Sequence, residues 1–194
     1  IEYDCGAGRI PAPLTTPDCG TLASQQAAMV KAGLKAMVIE ASSHALAQGR
    51  VAGIDFQAAA FTNLTGDHLD YHLTEDNYLN AKASLFEGLG KNATAVLNAD
   101  VPQGHILAAR THARTLMYSV YETDELHARI RQTDMSGTSY TLHYQGQAQA
   151  IQCALPGQHN VSNQLAAAGL CLAAGLDLET IAQGLNHLTH VTGR

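Results

Sequence analysis

Tryptophan is absent from this chain of 194 residues, and seven tyrosines and three phenylalanines are its only aromatic side chains. A core built from it must therefore be aliphatic, with helices close enough together to use its many alanines. No block of Lys and Arg occurs and the net charge is -6, which excludes the electrostatic footprint of a duplex-nucleic-acid or anionic-membrane binder. A phosphorylated ligand stays open, because backbone amides and one metal ion can hold phosphate. Cys5, Cys19, Cys153 and Cys171 form no C-x-x-C pair, so zinc-ribbon and redox spacing are excluded and reduced thiols of a cytoplasmic protein are expected. No apolar run reaches the ~18 residues of a membrane span and no signal peptide opens the chain, so membrane insertion is not expected. A phosphate loop is missing too. "GLGKNAT" has Asn92 where Ser or Thr belongs and Leu85 where the first glycine belongs. No G-x-S-x-G surrounds Ser42 and Ser43, so a nucleophile elbow is unsupported.

What is present is an ordinary globular composition, 46% hydrophobic and 14% charged. "TLASQQAAMVKA" has helical period and stops at Gly33. "KAMVIE" (35–40) predicts a short buried strand, "SSHALAQG" a short helix, and "QAAAFTNL" (57–64) a second strand. Thr74 caps a further helix, with Glu75 and Asp76 in its first turn, that ends near Gly88 or Gly90. "ATAVLN", "VPQGHILAART" and "RTLMYS" continue as strand, helix, strand. This alternation predicts an α/β fold whose mostly parallel sheet is flanked by helices. From about Glu125 the period falls to two in "ELHARIRQ", "SYTLHYQG" and "QAIQCAL", which predicts a small antiparallel sheet. Two helices follow Pro156-Gly157, and the whole reads as one domain with an antiparallel annex.

In open α/β sheets ligands bind beyond the carboxyl ends of the strands, where Glu40, Asn63, Asn98 and Asp100 fall. Asp67, His68, Asp70 and His72 crowd into one polar stretch, read as a loop. His68 and His72 serve there either as loop hydrogen-bonding groups or as ligands, and the spacing alone does not decide. Glu40, Ser42 and Ser43 equally suit helix capping. Lys82 is the sharpest residue, an ammonium with Tyr78 and Phe86 four positions either side. Either it snorkels to water, or it is a lysine of depressed pKa whose neutral amine reacts, for instance with carbon dioxide to give a carbamate. A carbamate is a hard oxygen ligand suited to Mg²⁺.

"LTTPD" (14–18), "IEASSHALAQGRV" (39–51), "FTNLTGDHLDYH" (61–72), "YLNAKASLF", "LNAD", "GQHNVSNQLAA" and the final "VTGR" together resemble the central domain of Mur ligases. The likeness covers nearly the whole chain, and the S-S-H-A-L and D-H-L-D-Y-H blocks in tandem carry most of it. Within the family it points to ligases that add a diamino acid, meso-diaminopimelate or lysine, to UDP-MurNAc-L-Ala-D-Glu. The resemblance implies a P-loop-NTPase-like fold and an ATP-dependent amide ligase of peptidoglycan synthesis, cytoplasmic and monomeric, with neither nucleic acid nor membrane as partner. It implies that ATP phosphorylates the glutamyl carboxylate and that an amine then displaces the phosphate. On the same grounds Glu40 and His68 match Mg²⁺ ligands, and Lys82 matches a carbamylated lysine that supports a second metal. Thr15, Thr16, Ser42, Gln48 and Arg50 match contacts to the UDP-muramoyl peptide. Asn160 and Asn163 match asparagines near the adenine of ATP, and Arg194 matches an arginine that closes the nucleotide site.

Departures weaken single contacts. Gly66 stands where Arg or Gln is common, Thr192 replaces a proline, His159 an aromatic, and Leu14 an Asn of some members. The family's phosphate loop is expected just before Ile1, and uridine-binding and amino-acid-selecting domains are expected to either side. On that reading residues 1–194 are a fragment that turns over no substrate alone. A folylpolyglutamate synthase or cyanophycin synthetase is the alternative among enzymes, and a non-catalytic binding module the alternative outside them.

Overall fold

The computed structural model describes residues 2–64, 69–121 and 124–191. In chain order the elements are β1 (Glu2–Asp4), β2 (Arg9–Pro11), α1 (Cys19–Lys31), α2 (Ser43–Ala47), β3 (Ala58–Phe61), α3 (Leu69–His72), α4 (Glu75–Glu87) and β4 (Thr94–Asn98). They continue as α5 (Pro102–Arg110), β5 (Arg114–Ser119), β6 (Leu126–Asp134), β7 (Gly137–Tyr144), β8 (Gln147–Cys153), α6 (Gln158–Ala173) and α7 (Leu178–Asn186). Its internal packing divides the chain into two compact units. The first takes residues 1–54, 68–84 and 192–194, and the second takes 55–67 and 85–191.

The second unit carries the main sheet, ordered β3-β4-β5-β6-β7-β8. β3, β4, β5 and β6 pair in parallel, then β6-β7 and β7-β8 pair antiparallel. The α/β expectation therefore holds, and the period-two strands extend the parallel sheet rather than stand apart from it. Their alternation has a direct cause. Leu126 and Ala128 of β6 and Tyr140 and Leu142 of β7 join one buried cluster with Val161, Leu165 and Ala168 of α6 and Ile181 of α7, so every second residue faces helices. Inside it the Tyr140 hydroxyl donates to Gln164 Oε1 at 2.7 Å and the Gln164 amide meets the Cys153 thiol, which satisfies three polar groups that burial would otherwise penalise. Burial raises the pKa of the Tyr140 hydroxyl, and nearby Cys153 adds to the shift, so it stays a neutral donor. All four cysteines are free, and Cys19 is exposed.

The carboxyl ends of β3, β4 and β5 are tied together by side chains. Asn98 donates to the Thr62 carbonyl at 2.8 Å and accepts from Asp100 N at 2.9 Å. Asp100 in turn accepts from Ser119 Oγ at 2.6 Å and from Val120 N at 2.9 Å. The Tyr118 hydroxyl reaches across to the Phe61 carbonyl at 3.1 Å. Asn98 and Asp100 thus hold strand ends in place.

The first unit is thinner. β1 and β2 form a two-stranded antiparallel ribbon. α1 is capped by Asp18, which accepts from the Thr21 N–H at 2.9 Å; that bond is the main cause of its lowered pKa. Leu22, Ala45, Val51, Tyr78 and Ala83 are its buried apolar groups. Residues 35–40, expected as a buried strand, belong to no strand, and Val38 is 85% exposed. A strand needs a ladder partner, and no described residue pairs with this segment. No helix is long and apolar enough to cross a membrane among the described residues.

Candidate active site

α2 starts where the chain leaves 35–40, and its first residues gather the predicted site groups of the first unit. Ser42 is the N-cap and accepts from Ala45 N at 3.3 Å. The buried Thr16 hydroxyl donates to the Glu40 carbonyl at 2.6 Å and accepts from Ser42 N at 3.0 Å. One side chain thereby fixes the backbone on both sides of Ala41. Arg50 donates from Nη1 to the Thr16 carbonyl at 3.0 Å and grips Gln48 Oε1 from Nη2 at 2.6 Å and Nε at 2.9 Å. Thr16, Ser42, Gln48 and Arg50 are therefore one connected network. Thr15 precedes it in sequence and is half-buried.

The sequence signal for the rest of the cluster was weak. Tyr71 and His72 lie in α3, a single helical turn where a loop was expected. His72 is 6% exposed and its Nε2 lies 2.9 Å from Ser43 Oγ. Its ring stacks on Tyr78 with centroids 5.1 Å apart. Tyr71 packs on His44 at 4.1 Å, and the Gln48 amide reaches the Tyr71 hydroxyl at 3.4 Å. His44 and Tyr71 could have been found only by treating S-S-H-A-L and L-D-Y-H as packing partners, whereas Tyr78 was visible as the aromatic one turn before Lys82.

Thr74 caps α4 as expected, accepting from Asn77 N at 3.1 Å. Lys82 follows two turns later, half-buried, with Nζ 5.2 Å from the Tyr78 ring centroid. Burial lowers its pKa, and the negative charge of Glu40 opposes that shift. Full snorkelling is thus not what the lysine does: its ammonium pays for lost water and is partly compensated by one carboxylate. The sign for stability follows. A lysine whose folded pKa lies below its unfolded value costs stability while charged, and the cost fades as pH climbs from the folded pKa towards 10.5. Lys82→Met should accordingly raise the melting temperature of this chain at pH 7, with a smaller gain at pH 10, in thermal melts recorded at both values.

Asn160 and Asn163 occupy the first two turns of α6 in the second unit, three residues apart and so on one helix face. Asn160 Nδ2 donates to the Pro156 carbonyl at 2.8 Å. His68 and Arg194 lie outside the described residues. Among the described residues no three His, Cys, Asp or Glu side chains gather as a metal site. Glu40 offers an exposed hard oxygen donor beside Lys82, and an amine is no Mg²⁺ ligand while protonated, so the pair suits a divalent cation once Lys82 carries a carboxylate.

A model of the "Mur ligase middle domain" matches residues 1–171. The chain belongs to the Mur ligase middle-domain family. Among curated relatives, UDP-N-acetylmuramoyl-L-alanyl-D-glutamate--2,6-diaminopimelate ligase of Geobacillus kaustophilus (strain HTA426) is 41% identical over all of this chain and 41% of its own length. The ligase of the same name from Gloeobacter violaceus is 43% identical over 93% of this chain and 37% of its own. A solved structure of a 2,6-diaminopimelate ligase of that name superimposes with a TM-score of 0.82 at 32% identity, covering 96% of this chain and 40% of that one. This Mur ligase domain therefore spans about two fifths of the length of the relatives it matches.

Proposed function

We propose that the complete protein is an ATP-dependent ligase that joins a diamino acid to UDP-MurNAc-L-Ala-D-Glu, and that the acceptor is 2,6-diaminopimelate, as in the names of its relatives. The observation that carries this reading within the chain is a half-buried Lys82 whose pKa burial depresses and whose charge Glu40 is near enough to favour, with the Thr16–Ser42–Arg50–Gln48 network in the same unit. Arg50 and Gln48 present charge and amide groups suited to a carboxylated, phosphorylated substrate. Thr16 holds the Glu40 backbone at the entry to α2. Lys82 in its neutral form attacks carbon dioxide through Nζ, forms an N–C bond and releases one proton, ending as a carbamate that carries a negative charge. Glu40, His68 and that carbamate would hold Mg²⁺, which supplies charge compensation to the phosphoryl group in transfer. Asn160 and Asn163 are the proposed contacts to adenine, and Arg194 a proposed contact to the nucleotide.

The test is phosphate release by the complete protein given ATP, Mg²⁺ and UDP-MurNAc-L-Ala-D-Glu, with meso-diaminopimelate or lysine added separately and the product identified by mass. Phosphate release that requires both the UDP-peptide and diaminopimelate supports the reading. Release with lysine alone changes the acceptor, and turnover of a folyl or polyaspartate substrate removes the assignment. Residues 1–194 alone are expected to release none, and turnover by that segment contradicts this.

A further inference from the structure

His72 is buried, bonded and stacked, yet the ligation scheme above gives it no part. It links three elements of the first unit. Its Nε2 meets Ser43 Oγ at the first residue of α2, 2.9 Å away. Its ring lies on Tyr78 of α4, the planes 19° apart. Its carbonyl accepts from Asn77 Nδ2 at 2.9 Å, also on α4. The chain is bent to achieve this. Leu73, directly after it, sits at φ 68° with its side chain 78% exposed, a left-handed conformation that costs a leucine about 1–2 kcal/mol. Burial of Leu73 does not repay that cost, whereas the contacts of His72 and the Thr74 cap lie on either side of it.

Of the two helices that His72 joins, α4 bears Lys82, and α2 begins three residues after Glu40. Ser43 follows Ser42, whose N–H shares Thr16 Oγ1 with the Glu40 carbonyl. Tyr78 lies one turn before Lys82 and beneath its Nζ at 5.2 Å. A continuous path thus runs from Glu40 through Ser42 and Ser43 to His72, then through Tyr78 to Lys82. Arg50 and Gln48, on the substrate side, are bonded to each other, and Arg50 also donates to the Thr16 carbonyl.

We propose that His72 is a positioning residue of the ligase, bonding Ser43 and stacking on Tyr78 so that the Glu40 carboxylate and the Lys82 side chain keep the spacing a divalent cation needs. The inference rests on the function proposed above. Partners of this kind, one step behind the ligands, typically change metal affinity or activity by about 10–100-fold when removed.

The test uses the complete ligase and Mn²⁺, counted by electron paramagnetic resonance with ATP present, alongside kcat, KM for UDP-MurNAc-L-Ala-D-Glu and melting temperature. His72→Phe keeps a ring on Tyr78 but cannot bond Ser43. His72→Gln restores a polar partner for Ser43 without the ring. His72→Phe should weaken Mn²⁺ binding and lower kcat by about 10-fold or more, leaving KM unchanged, and His72→Gln should recover most of the loss. If His72→Phe fails to fold, Ser43→Ala removes the same bond from the other end and should weaken Mn²⁺ equally. Parental Mn²⁺ binding and kcat in His72→Phe or Ser43→Ala overturn the proposal. So does a parallel fall of kcat, Mn²⁺ affinity, KM performance and melting temperature in both His72 variants, which marks a packing residue only. A parent enzyme that makes product but binds no Mn²⁺ overturns the proposal together with the cation site, and one that makes no product overturns the function itself.

Discussion

Lys82→Arg in the complete ligase is expected to lower kcat by about 100–1,000-fold, the cost of removing one preorganised charge stabiliser from a transition state. Arginine is the decisive replacement because it keeps a positive charge on a long stem. If Lys82 acts as an ammonium held by Glu40, arginine preserves the ion pair and turnover falls only a few-fold. If Lys82 acts through its neutral amine, arginine fails, because the guanidinium stays protonated and cannot take up carbon dioxide. Under the proposed function the second case is the one expected. Burial lowers the Lys82 pKa despite the nearby Glu40 carboxylate, so the neutral amine is more populated than on an exposed lysine. Lys82→Met should lose as much as Lys82→Arg, since both lack the nucleophile. Initial rates of phosphate release at saturating substrates decide it, and added bicarbonate should raise the parent rate and leave both variants unchanged.

Much of the fold was legible because its signals are local. Thr74 announces α4, the period of two in 126–153 announces three antiparallel strands, and the spacing of "ATAVLN" and "RTLMYS" announces two parallel ones. The misreading of 35–40 has the same root. "KAMVIE" carries strand-like composition, but a ladder is a property of two segments, and no described residue pairs with it. α3 escaped for the opposite reason. Four residues give too little period to detect, and Leu73 at positive φ is a turn that no glycine advertises. In the site, Lys82 stood out as a charge among apolar helix positions and Glu40 as a carboxylate at a predicted strand end. His72 stood out only as one of four crowded polar groups, because the partner that gives it a role, Ser43, is 29 residues away. Asn98 and Asp100 were read as ligand-facing from their place at strand ends, and their side chains are spent on Thr62, Ser119 and Val120.

The same limit hides the most consequential glycine. In sequence, Gly104 only weakens the helix "VPQGHILAART", by about 1 kcal/mol relative to alanine. In the fold it is the point where α5 lies against β4: a methyl group there would fall inside contact distance of the Asn98 carbonyl oxygen and close to the carbonyl carbon. Neither side can yield cheaply. β4 is an interior strand between β3 and β5, and Asn98 is pinned to Thr62 and Asp100. α5 is pinned by Leu107, which is fully buried. Overpacking of this kind costs about 1–3 kcal/mol, occasionally more, when flexible side chains can absorb it, and here the obstacle is backbone. Gly104→Ala is therefore expected to destabilise the chain by about 3 kcal/mol, a fall of roughly 6–12 °C in melting temperature. Gly184 of α7 supplies the opposite sign. It is a helix-interior glycine with no neighbour within 4 Å of an added methyl, so Gly184→Ala keeps the propensity gain of about 1 kcal/mol without the clash. Urea melts of the two variants side by side separate the effects, because propensity predicts the same sign for both. If Gly104→Ala proves as stable as Gly184→Ala, α5 does not lie on β4 as described, and the strand ends that Asn98 and Asp100 hold together lose their support.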